Sequence, residues 1–352
     1  MYVMVVAKDY FFKKVTLLNV FLTFCIVLLH AKPPERWGLP LDTTYGFIYW
    51  THHLTLIGVP TFFFLSGLLF YRRCSFSTIE RKLKARVHSL LVPYLLWNVF
   101  FVAAYYVLTH IPAICRCMNM GLSLNTLGEI AYAIINARCT DLWFVKNLML
   151  FCACSAFLFI CVDRLKFALL VLSISIAYAI SFSIGYEHPM LWLPSYLTGA
   201  IVGRHFVSDG KGEYMQFMKN YDLTQRLSVG GILGFALFLL CLLSGSCGGG
   251  YTFVYRLGAP LIIWLLIDLT LYAYISKRFV VRQWMRHMFF IFCVHHFVLN
   301  CLQKIVVLSF PPTNMVLNLT FVLSPLITVA MLLALANMLS RYRIFAVLTG
   351  GR

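Results

Sequence analysis

Long apolar runs, interrupted by short clusters of charged and turn-forming residues, organise this chain from end to end. They fall near residues 15–31, 52–71, 89–109, 142–162, 167–186, 190–206, 227–244, 253–275, 288–308 and 314–339. Each approaches the ~20 residues that a helix needs to cross hydrocarbon, and none alternates as a strand would. One polar interval carries a pattern of its own. In 123–137, Leu124, Leu127, Ile130, Ala131, Ile134 and Ile135 share a helical face, and Thr126 with Glu129 forms a capping box. A short helix lying on the outer membrane surface is expected there. Gly245 to Gly250 reads as a flexible outer loop, and Pro311-Pro312 as a tight one. The predicted fold is all-α: a polytopic transmembrane bundle of about ten helices, with residues 1–352 forming a single membrane-embedded domain. No inverted internal repeat is visible.

Composition agrees with lipid as the solvent. Hydrophobic residues make up 61% of the chain, charged residues 12%, and mean hydropathy is +0.84. The basic start (Lys8, Lys13, Lys14) before the first run resembles a signal peptide. Leu28-Leu29-His30-Ala31-Lys32-Pro33 offers no convincing small-x-small cleavage site, so the run is taken as a span. A formal charge of +17 would point to nucleic acid in a soluble protein. Here the distribution decides: with N-terminus and C-terminus both inside, 22 of the 29 Lys and Arg residues fall on the cytoplasmic side. Most of the twelve cysteines lie inside spans, where they act as small apolar residues. Cys115, Cys117, Cys139 and Cys247 fall on the outer side, where a disulfide could form, but the sequence does not pair them. No zinc spacing appears, and no metal is expected.

Ionisable residues inside spans cost roughly 2.5–3.5 kcal/mol each, so they point to function by default. His30, His52, His53, Asp141, Lys146 and Arg256 gather at one depth, at the outer ends of four spans. They line a polar cleft if those helices adjoin, or else sit separately at the headgroup boundary. An imidazole accepts and returns a proton near neutral pH, which makes His30 a candidate base for a hydroxyl nucleophile. His295 and His296 lie deeper. Successive residues diverge by about 100° around a helix, so at most one of the two is expected to face inward with His30. Asp268 is embedded in the inner half of its span and is expected to pair with a basic residue near a cytoplasmic helix end. The cytoplasmic stretch from Tyr71 to Ser89 carries Arg72, Arg73, Arg81, Lys82, Lys84 and Arg86. Anionic lipid and a phosphorylated ligand both satisfy such a cluster.

Five segments, in this order and at these intervals, resemble membrane acyltransferase family 3 of bacteria. They are Cys25-Ile26-Val27-Leu28-Leu29-His30, the run from Gly58 to Gly67, Arg81-Lys82-Leu83-Lys84-Ala85-Arg86 leading to Pro93-Tyr94, Leu142-Trp143-Phe144-Val145-Lys146-Asn147, and Phe290-Ile291-Phe292-Cys293-Val294-His295. The resemblance implies a multi-pass protein of the bacterial cytoplasmic (inner) membrane. It would transfer a short acyl group, acetyl in the first instance, from acyl-CoA to a hydroxyl of a cell-surface or lipid-linked glycan. It implies His30 as the essential histidine, with Arg81, Lys82, Lys84, Arg86 and Asn19 toward the acetyl-CoA donor. Asp141, Trp143, Lys146, Arg256 and His295 are expected to bind substrate, with Lys146 or Arg256 stabilising the oxyanion. Asn19 departs from the family, which commonly has Arg or Lys eleven residues before the histidine, so Lys13 or Lys14 is expected to substitute. Phe292 stands where tyrosine is usual. The partners implied are acyl-CoA, the glycan and the lipid bilayer, with no nucleic acid. The rival readings are a transporter or flippase of a polar glycan-related substrate, using the buried His and Asp as a relay, and an envelope glycan polymerase.

Overall fold

In hydrocarbon every backbone N–H and C=O must find its partner within the protein, so the apolar runs fold as helices. The computed structural model describes residues 2–111, 122–182, 184–207 and 222–351, with side chains described from residue 9. Cys115, Cys117, Arg116, Lys211 and Lys219 lie outside the described residues. In chain order the α-helices are α1 (Tyr2–His30), α2 (Pro33–Arg36), α3 (Gly46–Thr55), α4 (Gly58–Tyr71), α5 (Phe76–Arg86), α6 (Val92–Thr109), α7 (Leu127–Ile135) and α8 (Trp143–Ala153). They continue with α9 (Ser155–Asp163), α10 (Leu165–Ser181), α11 (Pro189–Ile201), α12 (Leu223–Cys247), α13 (Gly249–Lys277), α14 (Met288–Ser309), α15 (Asn314–Leu339) and α16 (Arg343–Leu348). Among the described residues there is no strand.

Seven helical segments are long and apolar enough to cross a membrane, and an eighth results if the bent pair α8–α9 counts as one span. This is a multi-pass membrane protein. The ten apolar runs all fall on helix, but three differ from simple spans. The 142–162 run is broken at Cys154, where α8 and α9 bend by 68°. Past the break, the Tyr71 hydroxyl donates to the Ser155 carbonyl at 3.1 Å and ties the start of α9 to the end of α4. The 167–186 run forms the 17-residue α10, and the 190–206 run forms α11 followed by a π-turn at Val202–Phe206. The expected flexible loop at Gly245–Gly250 is instead a hairpin turn: α12 runs to Cys247, and Gly248 and Gly249 reverse the chain at φ +61° and +47°. The short helix expected near 123–137 is α7. The Thr126 hydroxyl accepts from the Glu129 N–H, the Glu129 carboxylate accepts from the Thr126 N–H, and the helix packs on α6. Those backbone bonds hold the Glu129 carboxyl below its ordinary range.

The main core joins α1, α4, α6, α8, α11 and α14 through residues such as Val27, Phe63, Trp97, Phe144, Tyr196 and Ile291. A second cluster packs α13 on α1 and α4 through Leu22, Phe64, Leu68 and Trp264. The most extensive contact between consecutive helices is α12 with α13, whereas α4 meets α11 over an even longer seam. There Gly67 faces the carbonyl of Tyr196, and Gly199 faces that of Phe64. A Cβ on either glycine would overlap the opposing backbone. The outer flank of α12 presents Ile232, Phe235 and Phe238 outward, as a lipid-facing surface requires.

Deep in the bundle, Lys14 of α1 donates to the Asp268 carboxylate of α13 at 2.5 Å and to the Trp264 carbonyl at 2.8 Å. The Tyr10 hydroxyl donates to the other Asp268 oxygen. Lys14 also lies 3.3 Å from the Trp264 ring centre. Asp268 thus has the basic partner expected of it, and the pair ties α1 to α13.

Candidate active site

His30 closes α1, and the chain turns at once into α2, which Arg36 fastens to α14 by donating to Gln303 at 2.9 Å and to Asn300. Asp141 comes from the short connection between α7 and α8. That connection is pinned to α6 by the Thr140 hydroxyl, which donates to Asn98 at 2.8 Å. Asn98 is itself held by the Tyr94 carbonyl at 2.8 Å. His295 and His296 come from α14. These elements bring four titratable side chains together: His30 Nε2 lies 4.0 Å from Asp141 Oδ2, and His296 Nδ1 bonds the same oxygen.

The His30 ring stands 4.7 Å from His296, nearly parallel to it, and 5.2 Å from His295. Both α14 histidines therefore flank His30, which corrects the expectation that only one would. The helical argument measures where side chains leave the backbone. The two rings end 6.4 Å apart, and one imidazole with one carboxylate bridges that separation. The side chains of His30, Asp141 and His296 keep 26%, 24% and 35% of their exposure, so the cluster can be reached.

His295 is fully buried. Its Nδ1 faces the Phe292 carbonyl at 2.8 Å, which makes that nitrogen the donor and leaves Nε2 with its lone pair. Nε2 has no hydrogen-bond partner. Burial raises the cost of charging Asp141, but the neighbouring imidazoles of His30 and His296 outweigh it and hold the carboxyl below its usual range. His30, Asp141 and His295 also bring ligand atoms within 4.8 Å of one another, a set chemically able to hold a divalent cation. Zinc would need bonds of about 2.0–2.1 Å, so the three would have to draw inward.

A cavity of about 680 Å³ lies along α1, α4 and α14. Lys13, Arg86 and Arg286 border one end, Asn19 and Thr23 line the wall of α1, and Phe62, Phe144 and Phe292 border the other. Those three rings meet at 5.8–6.3 Å, and Phe292 lies 6.1 Å from the His295 ring. His30 is seven residues beyond Thr23, about 10 Å along the helix. An aromatic partition therefore stands between the cavity and the imidazoles.

Of the basic residues expected near a donor, Arg86 borders this cavity. Lys82 is half-buried and donates to the carbonyls of Phe70 and Arg72, which holds α5 to the end of α4. Lys84 pairs with Glu80 at 2.7 Å and is 76% exposed, and Arg81 is exposed. Asn19 borders the cavity, as does Lys13, whose ammonium lies 2.8 Å from Asp9. Lys14 is committed to Asp268 and does not substitute for a basic residue at position 19.

Elsewhere among the predicted site residues, Lys146 reaches Asn136 at 3.4 Å, and Arg256 lies over the rings of Tyr186 and Trp192. Trp143 packs against the same two rings. The cations whose charge reaches His30 are Lys32 and Arg36. His53 sits on α3 beside Tyr49 and Trp50, and His52 precedes it on the same helix, against the backbone of Leu29, the residue before His30. Sequence reasoning weighed His296 only as an alternative to His295, and it missed Arg36, Arg286, Tyr186 and Trp192.

The family model described as "Acyltransferase domain", that of acyltransferase family 3, matches residues 12–335. No curated protein and no solved structure matches the chain.

Proposed function

This chain belongs to acyltransferase family 3, a family of acyltransferases, and we propose that it moves a short acyl group, most simply acetyl, from coenzyme A to a hydroxyl of a cell-surface or lipid-linked glycan. The observation that carries this reading is the placement of His30. Its imidazole is partly exposed, is held near the Asp141 carboxylate and lies between two further imidazoles, while a cavity approaches the cluster from the opposite, basic end of the bundle.

In this proposal the donor's phosphates meet Arg86, Arg286 and Lys13, and its pantetheine arm lies along Asn19 toward Phe292. Phe62, Phe144 and Phe292 must part for the thioester carbonyl to reach the histidines. His30 then accepts the proton of the acceptor hydroxyl as its oxygen bonds to the carbonyl carbon. The carbon–sulfur bond breaks, and the leaving thiolate takes up the proton that His30 releases. Asp141 orients the imidazoles and stabilises the imidazolium formed in passing, and the cationic Arg36 offsets charge on the carbonyl oxygen. The placement in a bacterial inner membrane, with both termini inside, belongs to the same proposal.

Replacing His30 with Ala is expected to abolish acetyl transfer, a loss of at least about 10³-fold, while the protein still inserts and purifies as a monodisperse species. Acetyl-CoA consumption by purified protein with a glycan acceptor measures this. Undiminished turnover in the variant would remove His30 from its role. Gradient-driven uptake into vesicles without acyl-CoA consumption would favour a carrier instead.

A further inference from the structure

Arg256 is a cation that the mechanism leaves unused, and its setting is unusual. It sits in the second turn of α13 with its guanidinium carbon 5.2 Å from the Tyr186 ring centre and 5.6 Å from that of Trp192. Its Nε is buried without a hydrogen-bond partner, and no carboxylate among the described residues forms an ion pair with it. Cation–π contact offsets only part of the cost of desolvating a guanidinium, and the remaining demand is for an oxyanion.

The wall around Arg256 is built rather than incidental. Trp192 donates from its indole N–H to the Tyr186 carbonyl at 2.7 Å, and Trp143 lies 5.3 Å from Tyr186 and 5.8 Å from Trp192. Asn147 ties the same connection to α8 by donating to the Glu187 carbonyl at 2.9 Å. Tyr186 remains 38% exposed, so a ligand can reach this wall. The site is also next to the chemistry. Trp143 follows Asp141 by two residues, and the Tyr186 phenol lies within electrostatic reach of both Arg256 and Asp141.

We propose that Arg256, backed by Trp143, Tyr186 and Trp192, is a subsite for an anionic acceptor: a sugar carrying a carboxylate or phosphate close to the hydroxyl that is acylated. The guanidinium fork receives the oxyanion, and the aromatic faces receive the apolar face of the sugar ring. This assignment rests on the acyl-transfer reading of the His30 cluster for its meaning, but not for its test. The same oxyanion chemistry is offered by a lipid headgroup, so the experiment separates the two sources.

Full-length protein in phosphatidylcholine nanodiscs is titrated with glucuronate, glucose 6-phosphate and glucose, and binding is followed by tryptophan fluorescence. Glucuronate and glucose 6-phosphate are expected to bind at least about tenfold more tightly than glucose, the worth of one charge-assisted contact. R256Q is expected to erase that preference, and R256K, which keeps the charge but not the fork, to retain part of it. R256K also serves if R256Q does not fold. H30A is expected to keep the preference, whereas wild-type protein that binds anionic sugars but transfers no acyl group would refute the proposed function and leave the subsite standing. Equal binding of the three sugars, or a preference that survives in R256Q, overturns the proposal. A preference abolished in phosphatidylglycerol discs through Arg256 would assign the site to a headgroup and overturn it equally.

Discussion

Asp268 and Asp141 both lie within this bundle, and their surroundings could hardly differ more. Asp268 has Tyr10 on one oxygen and Lys14 on the other, and Lys14 spends its remaining reach on the Trp264 carbonyl and ring. Asp141 faces three imidazoles: one bonds it, one stands 4.0 Å away, and the buried Nε2 of the third has no partner. The first arrangement is closed and ties one helix to another. The second holds a proton-accepting lone pair ready next to a partly exposed imidazole, which a purely structural contact does not require. Burial alone would have ranked Asp268 as the more interesting residue. The count of satisfied partners separates glue from chemistry.

The sharpest way to break this contrast is to neutralise each acid in turn. D141N should lower turnover by about 10²-fold or more with a loss of thermal stability well below that of D268N, since the imidazoles remain and lose only their orienting charge. D268N should do the opposite. It strands Lys14, 1% exposed, in an apolar setting and costs about 3–5 kcal/mol of stability, while Lys14→Met combined with Asp268→Leu should recover most of the loss. Thermal unfolding in detergent and acetyl-CoA turnover read both arms. Equal stability losses in D141N and D268N would erase the distinction.

Smaller effects sharpen the contrast within the open cluster. H296N should reduce turnover about tenfold, the worth of one hydrogen bond to a charged group, with the apparent KM for acetyl-CoA unchanged. In the cavity, R86Q and R286Q should each raise that KM by about three- to tenfold, whereas K84Q, whose partner is Glu80, should move it less than twofold. The pH dependence is the mildest test. Because the Asp141 carboxyl is held below its ordinary value of about 3.9, its stabilising contribution is complete above that pH and is lost only as pH falls toward the lower folded value. Wild type should therefore lose stability relative to D141N only below about pH 4. Any fall in activity between pH 8 and 5 belongs to an imidazole.

Periodicity placed the helices, because each span is dictated by its own residues and by lipid. The capping box at Thr126 and Glu129 was legible for the same reason. His30 and Asp141 could be grouped by depth, and Asp268 given a basic partner, since charges buried at one level must meet. What stayed hidden was pairwise geometry between distant elements. Lys82 carries the same charge as Arg86 in the sequence, yet one is spent on backbone carbonyls and the other borders the cavity. Arg286 lies some two hundred residues from Arg86, and no local pattern joins them. The bend at Cys154 has no proline or glycine to announce it, and the Tyr71 hydroxyl that ties the start of α9 to α4 comes from more than eighty residues away.

The glycine seam between α4 and α11 constrains how any ligand could pass. Side-chain layers slide by exchanging rotamers, but here carbonyls rest directly against Gly67 and Gly199, with no such layer to shear. Those two helices therefore behave as a fixed jamb. The door is then the opposite wall, where Phe292 hangs from α14.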